Sequence, residues 1–257
     1  MTASTVISQT APSEKDDKND ISALLDITTG SAVSVVGCGG KTSLIELLAT
    51  QNIDKKVLVS PATKIFPITS PGVILCDTLQ NCIEHVPQIG VQYLGIYNTR
   101  NKKLEALPEQ VLADMIQQYD ITLTEADGSR CLPCKGWRDT EPVIRSFSTH
   151  TVGIVTMNAL GKPATKKIVH HLPEFLTLTG LGEGDIITEQ ILIDMVCLPG
   201  GMFKNCVGQQ YLVVNQVEDK MTTYNAESFI EKIKLQNSER FKKLIYGSVH
   251  KNDWHWI

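Results

Sequence analysis

The sequence predicts an α/β fold built on a mainly parallel sheet flanked by helices. Short apolar runs recur at residues 32–37, 56–60, 73–77, 91–97, 121–125, 151–157, 211–215 and 243–247. Most are nearly continuous in apolar or β-branched side chains, as strands buried on both faces must be. Helix-spaced stretches fall between several of them, at 41–50, 109–118, 188–196 and 226–235. Strands alternating with helices make crossover units and a parallel sheet. The run at 91–97 alternates less cleanly and suits antiparallel pairing as well.

Composition excludes several classes. The 257 residues carry 24 Lys+Arg against 28 Asp+Glu, a net charge of −4, which argues against a protein that coats nucleic acid. No apolar run reaches the roughly 18 residues of a membrane helix, and the N-terminus lacks the layout of a secretory signal. Seven cysteines without such a signal read as reduced thiols of a cytoplasmic protein. Residues 1–20 are polar and predict a mobile tail. Residues 21–257 read as one domain, in which 129–205 could form a subdomain over the sheet.

The sharpest local signal is Gly37-Cys38-Gly39-Gly40-Lys41-Thr42-Ser43. It follows an apolar strand and opens an amphipathic helix, the context a phosphate-binding loop needs. Glycines let backbone N–H groups surround an anion, and a helix N-terminus adds unpaired donors. Lys41 would neutralise the β- and γ-phosphates of ATP or GTP, and the Thr42 hydroxyl would ligate Mg²⁺. The spacing is G-x-x-G-K-T-S, shorter than G-x-x-x-x-G-K-[ST], since Val35 stands where the longer form has glycine. The short form occurs in ligases that add amino acids to muramoyl nucleotides. These elements refine the fold expectation to a P-loop-type nucleotide-binding fold. A glycine-rich strand-to-helix turn with an incidental lysine is the plainer alternative.

Such a loop needs an acid at the end of a neighbouring strand. The run 121–125 leads into Glu125-Ala126-Asp127-Gly128, and alternate spacing points both acids the same way. Asp127 is expected in the Mg²⁺ shell, and Glu125 as the base or the group that positions water. Beyond the turn, Ser129, Arg130, Lys135, Arg138 and Glu141 lie in a stretch dense in charge. Its cations could clamp an anionic substrate, since arginine suits bidentate phosphate or carboxylate contacts. Cys131 and Cys134 make a lone CxxC without the second pair that four-cysteine zinc requires. His170 and His171 open a run ending at Glu174, with acid–base chemistry and an ordinary loop both open. Asn215 ends a strand and Glu218 follows three residues on, the spacing of guanine-reading loops. Gln216 stands where lysine is usual there, so a strand running into a polar turn is the simpler reading.

Taken in order, GCGGKTS, TEADGSR, LPCKGWRDTEPVI, VTMNALGKP, HLPE, TGLGEGDIITEQIL and LVVNQVE resemble the YqeC family over roughly residues 25–250. Its members are described as selenium-dependent hydroxylase accessory proteins, or selenium cofactor biosynthesis proteins. The positions that match are Gly37, Gly39, Gly40, Lys41 and Thr42, then Glu125, Asp127, Gly128, Ser129 and Arg130. Lys135, Glu141, Pro142, Gly161, Lys162, His171 and Glu174 match downstream, which adds Lys162 and His171 to the substrate-binding candidates. Leu172 stands where the family commonly has arginine. The resemblance implies a maturation factor for molybdenum hydroxylases that carry a labile selenium centre, with the hydroxylase or its cofactor as partner. The function expected is therefore a Mg²⁺-dependent nucleotide-binding accessory factor, an NTPase at most. The alternatives are a kinase or ligase acting on a cofactor precursor, and a nucleotide-switched chaperone without catalysis.

Overall fold

The computed structural model describes residues 20–63, 78–100, 102–237 and 239–257. The expected tail therefore lies outside the described residues except for Asp20, whose side chain accepts from the amides of Ser22 and Ala23 and caps helix α1 (Ile21–Leu24). The expected strand at 73–77 also lies outside them.

The central strand is β1 (Ser31–Gly37), buried at every position. On one side it pairs in parallel with β6 (Ile121–Glu125), then come β2 (Lys56–Pro61) and β3 (Gly90–Tyr93). On the other side follow β8 (His150–Thr156), β10 (Gln209–Asn215) and β11 (Lys243–Ser248), also parallel. Strand β12 (Asp253–Trp256) closes this edge antiparallel to β11. The sheet order is β12-β11-β10-β8-β1-β6-β2-β3.

Successive side chains leave a strand on opposite faces, and the core divides accordingly. Val33, Val35, Leu123 and Ile154 meet Leu44, Ile45 and Leu48 of α2 (Lys41–Gln51), with Ile21 and Leu25 beside them. On the other face Val36, Val155, Leu212 and Val214 meet α5 (Leu172–Thr179), α6 (Glu189–Cys197) and α7 (Lys220–Gln236). Residues between 129 and 205 contribute Cys134, Trp137, Ala159, Phe175 and Phe203 to this second cluster. They share one core with the sheet. A smaller cluster gathers Leu58, Leu94 and Leu112 with Cys82 of α3 (Leu79–Ile83) and Met115 of α4 (Glu109–Met115).

Several elements differ from the sequence expectation. The run at 91–97 divides. Its first part is β3, parallel to β2, and its second is β4 (Ile96–Asn98), which forms an antiparallel hairpin with β5 (Lys103–Glu105). The stretch at 109–118 is α4 followed by a 3-10 turn, Ile116–Gln118. The histidine run opens α5, with Pro173 in its first turn, where its missing N–H costs nothing. Two short strands, β7 (Cys134–Lys135) and β9 (Val169–His170), pair in parallel and set Lys135 opposite His170. Among the described residues no helix is long and apolar enough to cross a membrane.

Candidate functional site

The glycine bend forms where β1 ends and α2 begins, at the carboxyl edge of the parallel strands, where ligands of open α/β sheets sit. Gly37, Gly39 and Gly40 have φ of 102°, 97° and 119°. Gly37 is confined by more than its torsion: a Cβ there would run into the carbonyl oxygen of Ile154. Gly40 is the N-cap of α2 in a left-handed conformation and offers no side chain to the helix. The first-turn amides of α2 therefore carry no side-chain cap, and the positive end of the helix faces the bend. Lys41 folds back, and its Nζ donates to the carbonyl of Gly37 at 2.7 Å. Thr42 and Ser43 are exposed, whereas Cys38 is fully buried. The Cys38 thiol donates to the Pro133 carbonyl at 3.0 Å, and burial pushes its pKa up to about 12. Cys38 is thus a small filler of the bend.

Strand β6 adjoins β1 with Glu125 opposite Val35, so its acids arrive beside the bend. Lys41 Nζ lies 3.3 Å from Asp127 Oδ1 and 3.7 Å from Glu125 Oε1. Burial opposes the ammonium charge, yet Asp127 and Glu125 outweigh it and hold the Lys41 pKa above its usual value. Asp127 has no exposed surface. Its carboxylate accepts from the Gly37 amide at 3.2 Å and from the Trp137 indole at 2.6 Å, and Lys135 Nζ is 3.2 Å away. Lys135 is also fully buried, 3.3 Å from Glu141 Oε2, and donates to the Gly128 carbonyl at 2.8 Å. Two ammonium groups and three carboxylates thus share one buried network.

The Thr42 hydroxyl donates to Glu125 Oε2 at 2.9 Å, while Asp127 is enclosed by donors beneath the bend. Glu125 keeps some exposure, with 13% of its side chain accessible. Burial raises its pKa, against the pull of Lys41 and the Thr42 hydrogen bond. No three of the described His, Cys, Asp and Glu side chains are grouped to hold a metal among themselves.

The turn after Asp127 leads into a basic groove. Arg130 and Cys131 both adopt left-handed backbone, φ 52° and 59°, a conformation that costs about 1–2 kcal/mol for each non-glycine residue. An open groove of about 470 Å³ follows, walled by Arg130, Arg138, Lys166, His170 and His171 among others. Arg138 leans toward Glu174 at 3.6 Å, and His171 toward Glu141 at 3.5 Å. Burial, then the charges of His171, Lys135 and Arg130, push the His170 pKa down to about 4. His171 is lowered as well, by burial first. Ser129 is half-buried beside the groove, and Lys162 is exposed on a turn outside its walls. Cys131 is exposed and Cys134 buried in the core, so the two thiols of the CxxC face different surroundings.

A family model described as YqeC protein matches residues 33–173, which run from within β1 through the bend, the acid turn and the groove. The chain belongs to the YqeC family. It is also 28% identical over 181 residues to the uncharacterized protein YqeC of Escherichia coli (strain K12), an alignment covering 68% of this chain and 71% of that protein. Lys41, Glu125, Asp127, Lys135 and His171 all fall inside the segment matched to YqeC, whereas Asn215 lies beyond it.

Asn215 nevertheless belongs to the same edge of this YqeC chain. Its Nδ2 donates to the Gly39 carbonyl at 2.7 Å, and its Oδ1 accepts from the Val249 amide at 2.9 Å. Trp137 is the residue that sequence reasoning missed. It sits inside the quoted LPCKGWRDTEPVI stretch, but only the fold shows its indole N–H meeting Asp127.

Proposed function

We propose that this chain is a Mg²⁺-dependent nucleotide-binding protein of the P-loop type. The observation that carries the reading is Lys41, held between the Gly37 carbonyl and two carboxylates at a bend whose helix amides lack a side-chain cap. The strand order supports it, since the acid-bearing β6 lies directly beside the loop-bearing β1. Amides at the start of α2 would take phosphate oxygens. Lys41 would exchange the Gly37 carbonyl for a β- or γ-phosphate oxygen.

The donor set fits Mg²⁺. That ion is held by one or two protein oxygens plus substrate phosphates and water, and Thr42 with Glu125 supplies a hydroxyl and a carboxylate side by side. We assign Thr42 and Glu125 to the metal's surroundings, and Glu125 also to orienting water. Mg²⁺ would neutralise developing phosphate charge. Asp127 is the positioning group: it pins the bend through the Gly37 amide and pairs with both Lys41 and Lys135.

The groove favours a second, anionic ligand. Arg130, Arg138 and Lys166 would face it, with His171, Ser129 and the Lys135–Glu141 pair behind. This arrangement supports a kinase or ligase reading, in which the nucleotide activates or phosphorylates a bound anion such as a pterin phosphate or selenophosphate. The family resemblance supports a role in maturing selenium-dependent molybdenum hydroxylases. Calorimetric titration of ATP and GTP with and without Mg²⁺ tests the core of the proposal. Micromolar binding that disappears in Lys41→Ala supports it, and no binding at millimolar nucleotide overturns it.

A further inference from the structure

At the far side of the bend, three strand-end loops are laced together. Beyond Asn215, Gln216 takes left-handed backbone, φ 65°, and its Oε1 accepts from Thr156 Oγ1 at 2.8 Å and Asn158 Nδ2 at 2.7 Å. This ties the loop after β10 to the loop after β8. The Val217 amide donates to the Gly247 carbonyl at 2.9 Å, and Lys251 Nζ donates to the Glu218 carbonyl at 2.6 Å. These bonds tie it to the end of β11 and to the loop that follows. Asn215 joins both to the Gly39 carbonyl.

Glu218 stands exposed in this frame. Its Oε1 accepts from the Ser248 hydroxyl at 3.0 Å, which fixes the carboxylate's orientation. Its Oε2 has no partner among the described residues. The side chain borders an open pocket of about 340 Å³, walled also by Tyr224 and Lys251. The Glu218 carboxylate meets Ser248 at the end of β11, three places from β1, about 14 Å at ordinary strand spacing, the reach of an extended nucleotide from phosphates held at the bend to the far edge of its base.

We infer that Glu218 reads the base of the bound nucleotide and that the base is guanine. The inference rests on the nucleotide-binding reading above and adds the base. An oriented carboxylate offers two acceptor oxygens. Guanine presents N1–H and the exocyclic amine side by side, so both oxygens are used. Adenine presents an acceptor, N1, beside its amine, and one carboxylate oxygen would face a lone pair. A charge-assisted hydrogen bond left unmade separates the two bases by about tenfold or more.

The full chain is titrated with Mg²⁺ and GTP, ATP or xanthosine triphosphate, for wild type and Glu218→Gln. Xanthine keeps N1–H but carries a carbonyl in place of guanine's amine. The glutamine amide can therefore accept from one and donate to the other. Expected is a wild-type preference for GTP over ATP of about tenfold or more. In Glu218→Gln, GTP binding weakens by a similar factor and xanthosine triphosphate becomes the tighter ligand. Equal or better binding of ATP to wild type overturns the guanine assignment, as does an unchanged GTP-to-xanthosine-triphosphate ratio in the variant. In either case binding that still depends on Lys41 leaves the phosphate site standing. No triphosphate binding to wild type overturns both. Melting curves of the variant, whose changed side chain is exposed, separate altered recognition from altered folding.

Discussion

Replacing Asp127 with alanine should destabilise the protein more than any other change at the bend. The substitution leaves Lys41 and Lys135, 3% and 0% exposed, with one carboxylate each: Glu125 at 3.7 Å and Glu141 at 3.3 Å. The Gly37 amide and the Trp137 indole lose their acceptor as well. Breaking a buried pair by removing one partner costs about 3–5 kcal/mol. For a chain of this size 1 kcal/mol moves Tm by about 2–4 °C, so the expected fall is roughly 6–20 °C. Glu125→Gln is the contrasting change. The folded protein already raises the Glu125 pKa, so the native state disfavours its charge, and a neutral amide still accepts from Thr42. Its stability should stay within about 1 kcal/mol of wild type. Circular-dichroism melts of both variants at pH 7 decide the matter. An Asp127→Ala protein melting within a degree or two of wild type would refute the reasoning, and so would a Glu125→Gln protein that falls as far.

Other expectations follow from the same geometry. Asn215→Ala strands the Gly39 carbonyl and the Val249 amide and should cost about 1–3 kcal/mol in urea unfolding; no measurable change would mean that Asn215 does not brace the bend. Burial, helped by neighbouring positive charge, holds the His170 pKa down to about 4, below the usual 6.5 of an imidazole, so between these values the unfolded chain binds a proton that the fold refuses. Stability should rise with pH across that window and level off above it. Tm measured across that range should show a slope that His170→Asn reduces, and an unchanged slope counts against the assignment. Iodoacetamide should label exposed Cys131 while buried Cys38 and Cys134, whose pKa values burial raises, react only after denaturation. Mass spectrometry of the native protein showing early modification of Cys38 would contradict the filler role.

Legibility in the sequence followed the strength of local patterning. Strand β6 was readable to the residue because Ile121 and Leu123 run unbroken into Glu125. The start of α7 was not. Its first turns are capped by Asp219 and Thr222, and Met221 and Tyr224 are exposed, so apolar periodicity begins only near Ala226. The run at 91–97 hid a break at Gly95, where a Cβ would press on Leu104 of the adjoining hairpin. Strand β12 was invisible, since Asp-Trp-His-Trp is too short and polar to read as a strand. The bend, Lys41 and the two acids could be named from spacing alone. Which acid is buried could not. An acid at a strand end reads as solvated, and only the convergence of Lys135 and Trp137 from a later loop encloses Asp127.

The most direct test is a crystal structure of the full chain with Mg²⁺ and a nonhydrolysable triphosphate. The account predicts phosphate oxygens within hydrogen-bond distance of the amides of Gly40, Lys41 and Thr42, with Lys41 Nζ turned from the Gly37 carbonyl onto the polyphosphate. A triphosphate bound elsewhere, with Lys41 still on Gly37 and nothing against the bend, would contradict it.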